Sequence, residues 1–162
     1  MPSSVKSVPA VSDDPEAQLT SFIEKFETKH QALIRSIRRA LRRRLPTANE
    51  LVYDNYNFFV IGYCPTERPS DTCFSMAAGA NGVGLAFYHG ATLPDPSHIL
   101  LGSGSQNRFI RLDNAAVLAR PEVVALMDAA IAQGKPFRDR GRGRLIIRSI
   151  SGKQRPRRKS AD

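Results

Sequence analysis

The feature that most constrains the fold is the stretch at residues 50–64, ELVYDNYNFFVIGYC, which is the most apolar and aromatic part of the chain. Its tyrosines and phenylalanines pack well on a pleated, half-buried surface, so the stretch predicts β-strands. Asn55 and Asn57 interrupt it and favour a turn or bulge, because asparagine tolerates left-handed backbone conformations. We therefore expect residues 50–64 to begin a sheet and to occupy its centre.

The chain before this stretch has the periodicity of an amphipathic helix. Its second half carries five arginines on the polar side, which form either a solvated face or an anion-binding stripe. A break near Thr28 keeps the helix within the size of a small domain, and Pro46 limits its extent. The apolar side of the helix is formed by Leu19, Phe22, Ile23, Phe26, Leu33, Ile34, Ile37 and Leu41.

The chain after this stretch alternates predicted strands with turns. Strands at 72–78 and 83–89 flank the sequence GANG at 79–82, which favours a hairpin. A short strand is predicted at 108–112 and a second amphipathic helix at 117–133. The length of 162 residues is typical of one domain.

The charge is distributed unevenly along the chain. Residues 1–134 hold 13 Lys+Arg and 13 Asp+Glu, whereas residues 135–162 hold 11 Lys+Arg and two acids. We therefore divide the chain into a mobile arm at 1–12, a domain at 13–134 and a basic C-terminal extension at 135–162. A basic segment of this kind favours polyanions, nucleic acid among them, unless it is only a solvated tail.

Within the extension, the apolar pattern of residues 144–150 predicts a strand at a sheet edge. The polar, basic sequence from residue 152 onward predicts a mobile tail. That strand either docks the extension on the domain or pairs with a second copy in a homodimer. The oligomeric state stays open. The candidate polyanion-binding residues are Arg142, Arg144, Arg148, Lys153, Arg155, Arg157 and Arg158.

Several function classes are not indicated by the sequence. It has no run of about 18 apolar residues that would predict a membrane span, and its first residues lack the apolar core of a secretory signal. Its two cysteines are therefore expected to be free thiols in the cytoplasm. Phosphate-binding, metal-protease and nucleophile-elbow motifs are absent from the sequence. We expect a protein that is not an enzyme and has no cofactor.

A second set of residues could line a pocket for a small molecule or a protein partner. Such pockets hold a few convergent polar groups that orient the ligand. The alternative is that the tyrosines pack at an edge of the core and the asparagines serve a turn. The candidate ligand-binding residues are Tyr53, Asn55, Asn57, Tyr88, His89, Gln106, Arg108 and Arg111.

Four blocks of the sequence resemble the YdhG-like domain family, a family of unknown function that is often described as frataxin-like. The blocks are ELVYDNYN (50–57), IGYCPTERPSDTCFSM (61–76), GATLPDPSHILLGSGSQNRFIRL (90–112) and IRSISGKQRPRR (147–158). The resemblance implies an α+β fold with an antiparallel sheet, here of about five strands, covered by the N-terminal and C-terminal helices. It also implies a break in the first helix before Gln31.

The frataxin-like members of that family are proposed to be iron chaperones that bind iron through acidic surface residues. In this chain the acidic residues of the first helix are dispersed among cations, whereas hard cations require converging oxygen ligands. Iron is therefore expected only under an alternative interpretation. The primary expectation is a non-enzymatic domain that binds a ligand or partner on its sheet face, with the basic extension contacting polyanions. Non-specific nucleic-acid binding is a further alternative.

Overall fold

The computed structural model describes residues 14–160, so the sequence predicted as an arm at 1–12 lies outside the described residues. Its α-helices are α1 (Pro15–Ile23), α2 (Thr28–Arg44) and α3 (Pro121–Gln133). A backbone hydrogen bond from Phe26 to Ile23 closes the turn between α1 and α2. The predicted break in the first helix therefore falls at residues 24–27. No helix within residues 14–160 is long and apolar enough to cross a bilayer.

The described strands are β1 (Asn49–Asp54), β2 (Phe59–Cys64), β3 (Phe74–Gly79), β4 (Gly82–Phe87), β5 (Arg108–Arg111) and β6 (Leu145–Ile150). They form one sheet in the order β5-β4-β3-β2-β1-β6. The first five strands pair antiparallel with their neighbours, and β6 pairs parallel with β1. The turn between β3 and β4 ends at Gly82, whose φ of 140° is readily adopted only by glycine.

The fold is α+β, but the expected antiparallel sheet of about five strands is only roughly matched. The sheet has six described strands and is mixed, because the chain crosses from β5 through α3 before it enters β6, and such a crossover permits parallel pairing. Close packing fixes the entry to β6, since a Cβ on Gly143 would overlap the carbonyl oxygen of Ala48. The helix expected at 117–133 also differs: Ala115–Ala119 forms a 3₁₀ turn, and α3 begins at Pro121.

The helices cover one face of the sheet and form the core with it. Large apolar side chains alternate toward this face, for example Phe74 and Met76 in β3 and Leu85 and Phe87 in β4. The other face is covered at one end by the segment after β2, where Thr72 lies against Gly62. Farther along β3 and β4 that face carries small residues.

A buried carboxylate ties α2 to the sheet. The side chain of Glu50 is 2% exposed and accepts hydrogen bonds from Arg38 (2.9 Å), from Arg42 (2.6 Å) and from the Tyr63 hydroxyl (2.9 Å). Arg38 also donates to Glu16 of α1 and thereby lowers the pKa of that carboxyl. Arg38 and Arg42, two of the five arginines predicted on the polar side of α2, are therefore ion-pair partners of the fold and not part of a free anion-binding stripe.

Removing the charge of Glu50 should destabilise the fold. Glu50→Gln keeps the shape of the side chain but leaves Arg42 without a carboxylate and Arg38 with Glu16 alone, so we expect a loss of about 2–4 kcal/mol in the free energy of unfolding. Urea denaturation measures this as a lower midpoint at an unchanged slope.

The matched control is Glu67→Gln. Glu67 pairs with Arg144 at 2.7 Å, but both side chains are more than half exposed, so the expected loss is below about 1 kcal/mol. Equal losses in the two variants would contradict the assigned role of Glu50.

Alkaline pH should destabilise the protein through two buried acids. Burial raises the pKa of Cys73 from 9.0 to about 11, and burial together with the charge of Glu50 raises the pKa of Tyr63 well above 10. The unfolded chain releases both protons at lower pH than the folded protein does. The unfolded state then binds fewer protons, and the free energy of unfolding falls as the pH rises above about 9.

We expect the double variant Tyr63→Phe, Cys73→Ala to lose stability less steeply than the parent between about pH 8 and about pH 11. Urea titrations at several pH values measure this slope. Tyr88→Phe changes a tyrosine that is 64% exposed and should leave the slope unchanged. A double variant that follows the parent curve would refute the explanation.

Candidate functional site

A groove of about 920 Å³ lies on the sheet face that the helices leave uncovered. Its floor is made of small residues from β3 and β4, namely Ala77, Gly79, Gly84 and Ala86. Side chains this small leave room above the sheet that larger residues would fill. The groove is therefore a consequence of the alternation in β3 and β4, which places large residues in the core and small ones outside.

Two aromatic rings border this floor. Phe58 is 52% exposed, and its Cδ1 lies 3.3 Å from the position that a Cβ on Gly79 would take. Phe109 is half-buried, and its Cδ2 lies 3.9 Å from the corresponding position on Gly84. The absence of a side chain on Gly79 allows the Phe58 ring to lie close to the sheet, and Phe109 lies at van der Waals distance above Gly84. The groove is thus lined by flat apolar surfaces that are open to a ligand.

The charged residues that line the groove are all cationic. Arg111 comes from β5, and Arg155, Arg158 and Lys159 come from residues 153–159, called the C-terminal segment below. Three asparagines add amide groups that can both donate and accept hydrogen bonds. These are Asn57, Asn81 and Asn107. The lining therefore favours an anionic ligand that has an apolar surface and hydrogen-bonding edges.

The C-terminal segment reaches the groove because a buried ion pair holds it there. Asp54, at the end of β1, has no exposed surface and accepts a hydrogen bond from Arg157 Nη2 at 2.9 Å. Lys25 donates to the other oxygen of this carboxylate at 2.6 Å. Arg157 is itself 4% exposed. The expectation of a mobile tail from residue 152 was wrong, because the fold requires this arginine as the partner of a buried charge.

Further contacts seat the segment beside the turn between β1 and β2. Arg157 Nη2 also donates to the carbonyl oxygen of Asn55. The backbone N–H of Arg155 donates to the carbonyl oxygen of Tyr56 at 2.8 Å. The Arg155 guanidinium lies 5.6 Å from the centre of the Tyr56 ring, which is within cation–π range. The Arg158 side chain donates to the carbonyl oxygen of Lys25. The segment thus forms one wall of the groove.

The candidate ligand-binding residues do not share one cavity. Asn57 and Arg111 line the groove. Asn55 accepts a hydrogen bond from Ser149, and Arg108 donates to the carbonyl oxygens of Gly104 and Asn107 in its own loop. The remaining four lie elsewhere: Tyr53 is half-buried on β1, Tyr88 is exposed with its ring against His89, His89 lines a second cleft, and Gln106 is exposed.

The candidate polyanion-binding residues are also divided. Arg155 and Arg158 line the groove, whereas Arg157 is buried. Arg144 pairs with Glu67. Burial raises the pKa of Tyr53, and the positive charge of Arg148 partly offsets this rise. The other two, Arg142 and Lys153, are exposed.

A second cleft of about 520 Å³ lies between β4, the end of α3 and the segment before β3. Its lining includes Asp71, Cys73, His89 and Lys135. Asp71 and Lys135 pair at 3.2 Å. Because the raised pKa of Cys73 keeps its thiol protonated near neutral pH, this cysteine has none of the thiolate character of a nucleophile. No group of three or more metal-ligating side chains was found in the described part of the chain.

Sequence reasoning missed the floor of the groove and its two aromatic borders. The signal was present in FSMAAG (74–79) and GVGLAF (82–87), where every second residue is small. Such alternation indicates a strand with one face packed and the other left open. Phe58 precedes the buried Phe59 and Phe109 precedes the buried Ile110, so each lies at the alternate position that faces away from the core.

Breaking the buried ion pair should release the segment that forms the wall. Arg157→Met leaves the Asp54 carboxylate with Lys25 alone, at a cost of about 1.5–3 kcal/mol. We expect residues 153–159 to open at least about tenfold more often and trypsin to cleave there faster in the same proportion. Limited proteolysis followed by mass spectrometry measures the rate at each site.

The control is Arg140→Met, which removes an exposed arginine from the same extension. It should leave the cleavage rate after Lys153 and Arg158 unchanged. If Arg157→Met is cleaved there no faster than the parent, the ion pair does not hold the segment.

No protein-family model, curated protein or solved structure matches this chain. The resemblance to the YdhG-like family therefore stays a prediction from the sequence blocks, and so does the iron-chaperone alternative that it implies. The groove and the charges around it carry the functional inference.

Proposed function

We propose that this protein is a non-enzymatic binding domain that holds an anionic, partly apolar ligand in the groove on its uncovered sheet face. The observation that carries the proposal is the composition of the lining. Two aromatic rings lie against a floor of glycine and alanine, and the four charged residues around them are all arginine or lysine.

The electrostatics support an anionic ligand. None of the salt bridges within the described residues involves the four cations of the groove, Arg111, Arg155, Arg158 and Lys159. Cations that line the walls of a concave surface of low polarity raise the local concentration of anions. The sheet face and the basic extension, which the sequence treats as two separate binding elements, thus contribute to one site.

The size of the groove supports a ligand with a substantial apolar part. Its volume of about 920 Å³ lies at the upper end of the range for small-molecule sites. A solvated sheet face would carry long polar side chains on β3 and β4, and a face packed on another element would carry large apolar ones. The small residues found there leave the rings accessible from the side.

A fluorescent probe that combines fused rings with a sulfonate, anilinonaphthalene sulfonate, tests the proposal directly. Titration of the folded protein should give saturable enhancement of fluorescence. Ala77→Leu fills the centre of the floor and should weaken binding at least about tenfold. Arg111→Ala removes one cation and should weaken it about two- to fivefold.

Each variant has a matched control elsewhere on the surface. Ala125→Leu adds the same bulk at an exposed position of α3, and Arg39→Ala removes an exposed arginine of α2. Both should bind the probe as the parent does. Absence of saturable binding, or equal effects of the variants and their controls, would rule out the groove as the site.

A further inference from the structure

We infer that the ligand of this groove is a single-stranded nucleic acid, with bases on Phe58 and Phe109 and phosphates at the surrounding cations. This inference rests on the proposed function and names the class of ligand. Three independent features of the lining match three parts of a nucleotide: the rings match the base faces, the amides match the base edges, and the cations match the phosphates.

The rings are placed as a stacking surface. The rings lie against neighbouring strands, Phe58 against Gly79 of β3 and Phe109 against Gly84 of β4. Gly79 pairs with Gly82, so the two glycines are one strand interval and two residues apart. At about 4.8 Å for the interval and about 3.4 Å for each residue, their separation is roughly 8 Å, which is more than the thickness of one base. The groove can therefore hold successive bases on separate rings. Stacking of this kind accepts every base, because every base has a π-face.

The cations follow the walls of the groove and do not converge on one point. Arg111 stands on the β5 side, whereas Arg155, Arg158 and Lys159 stand on the side of the C-terminal segment. A compact anion would favour one cluster, but a backbone with repeated phosphates can use both sides. Arg155 also holds its guanidinium beside the exposed ring of Tyr56, and this pair extends the surface on which a base can stack.

The geometry favours an unpaired strand over a duplex. In a duplex the base faces are stacked on one another and cannot reach rings that lie close to a sheet, whereas the unstacked bases of a single strand can. Asn57, Asn81 and Asn107 lie at the groove, and the edges that their amides can contact are also free only in an unpaired strand. An acidic peptide would use the cations and the amides, but its carboxylate side chains have no π-face to stack on the rings.

The test uses the full chain and short fluorescein-labelled oligonucleotides, oligo-dT and oligo-U, in anisotropy titrations. Neutralising phosphates at four cations predicts a slope of about −3 for the logarithm of affinity against that of salt. Affinity should then fall about 50-fold between roughly 50 and 200 mM salt. Phe58→Ala and Phe109→Ala should each weaken binding about tenfold without changing this slope, since stacking is not ionic. Arg111→Ala should reduce the slope by about 0.7.

Tyr88→Ala and Arg39→Ala are the controls, because they remove an exposed aromatic residue and an exposed cation outside the groove. Both should leave the affinity unchanged. Phe109 is half-buried, so circular dichroism checks each variant. Ala77→Leu, which blocks the floor without removing a ring, provides a second test and should also weaken binding.

The outcomes separate this inference from the proposed function. Binding of anilinonaphthalene sulfonate in the groove without binding of oligonucleotides would overturn the inference and leave the proposed function intact. Equal affinity for a duplex of the same length, or for polyglutamate, would also overturn it. So would oligonucleotide binding that depends on salt but not on Phe58 or Phe109, because such binding is a contact of the basic segment alone.

Discussion

The structure depends on the compensation of one buried carboxylate, that of Asp54 at the end of β1. Its side chain has no exposed surface, and a buried charge is costly unless cations compensate it. Lys25 provides one cation from the turn after α1, and Arg157 provides the other from more than a hundred residues away. The chain must therefore return to the end of β1 after completing β6. The wall of the groove exists because this ion pair brings the C-terminal segment to that place.

Glu50 plays the corresponding role at the other end of β1. It faces the helices and takes Arg38 and Arg42 as partners. Two acids on the covered face of a single strand thus engage cations of the turn after α1, of α2 and of the C-terminal segment. The distribution of charge along the sequence does not show which basic residues pair within the fold and which remain at the groove. Part of the basic excess at residues 135–162 is engaged by the fold, and another part, Arg155 and Arg158, borders the groove.

Local sequence patterns predicted much of the secondary structure, but they did not predict the contacts between residues far apart in the sequence. The hairpin at 79–82 and the break before α2 follow from residues close in sequence, so the α+β class could be inferred. The parallel pairing of β6 with β1 could not, because it depends on a crossover and on the fit of Gly143 against Ala48. The burial of Arg157 could not be predicted either, because a basic polar segment is expected to be solvated unless its partner, here Asp54, is known. Asn57 and Arg111 were selected for their chemistry, but their neighbours in the groove were not.

The small residues on β3 and β4 have a physical consequence beyond making space. Glycine in a strand weakens it, because the unfolded chain loses more entropy and no side chain packs against the neighbours. The sheet nevertheless has glycine at positions 79 and 84 on its uncovered face, beside the rings of Phe58 and Phe109. A side chain at position 79 would strengthen the strand but displace the Phe58 ring, whose Cδ1 lies 3.3 Å from the place of its Cβ. The cost in stability therefore falls beside an exposed ring, where a stacked ligand needs room.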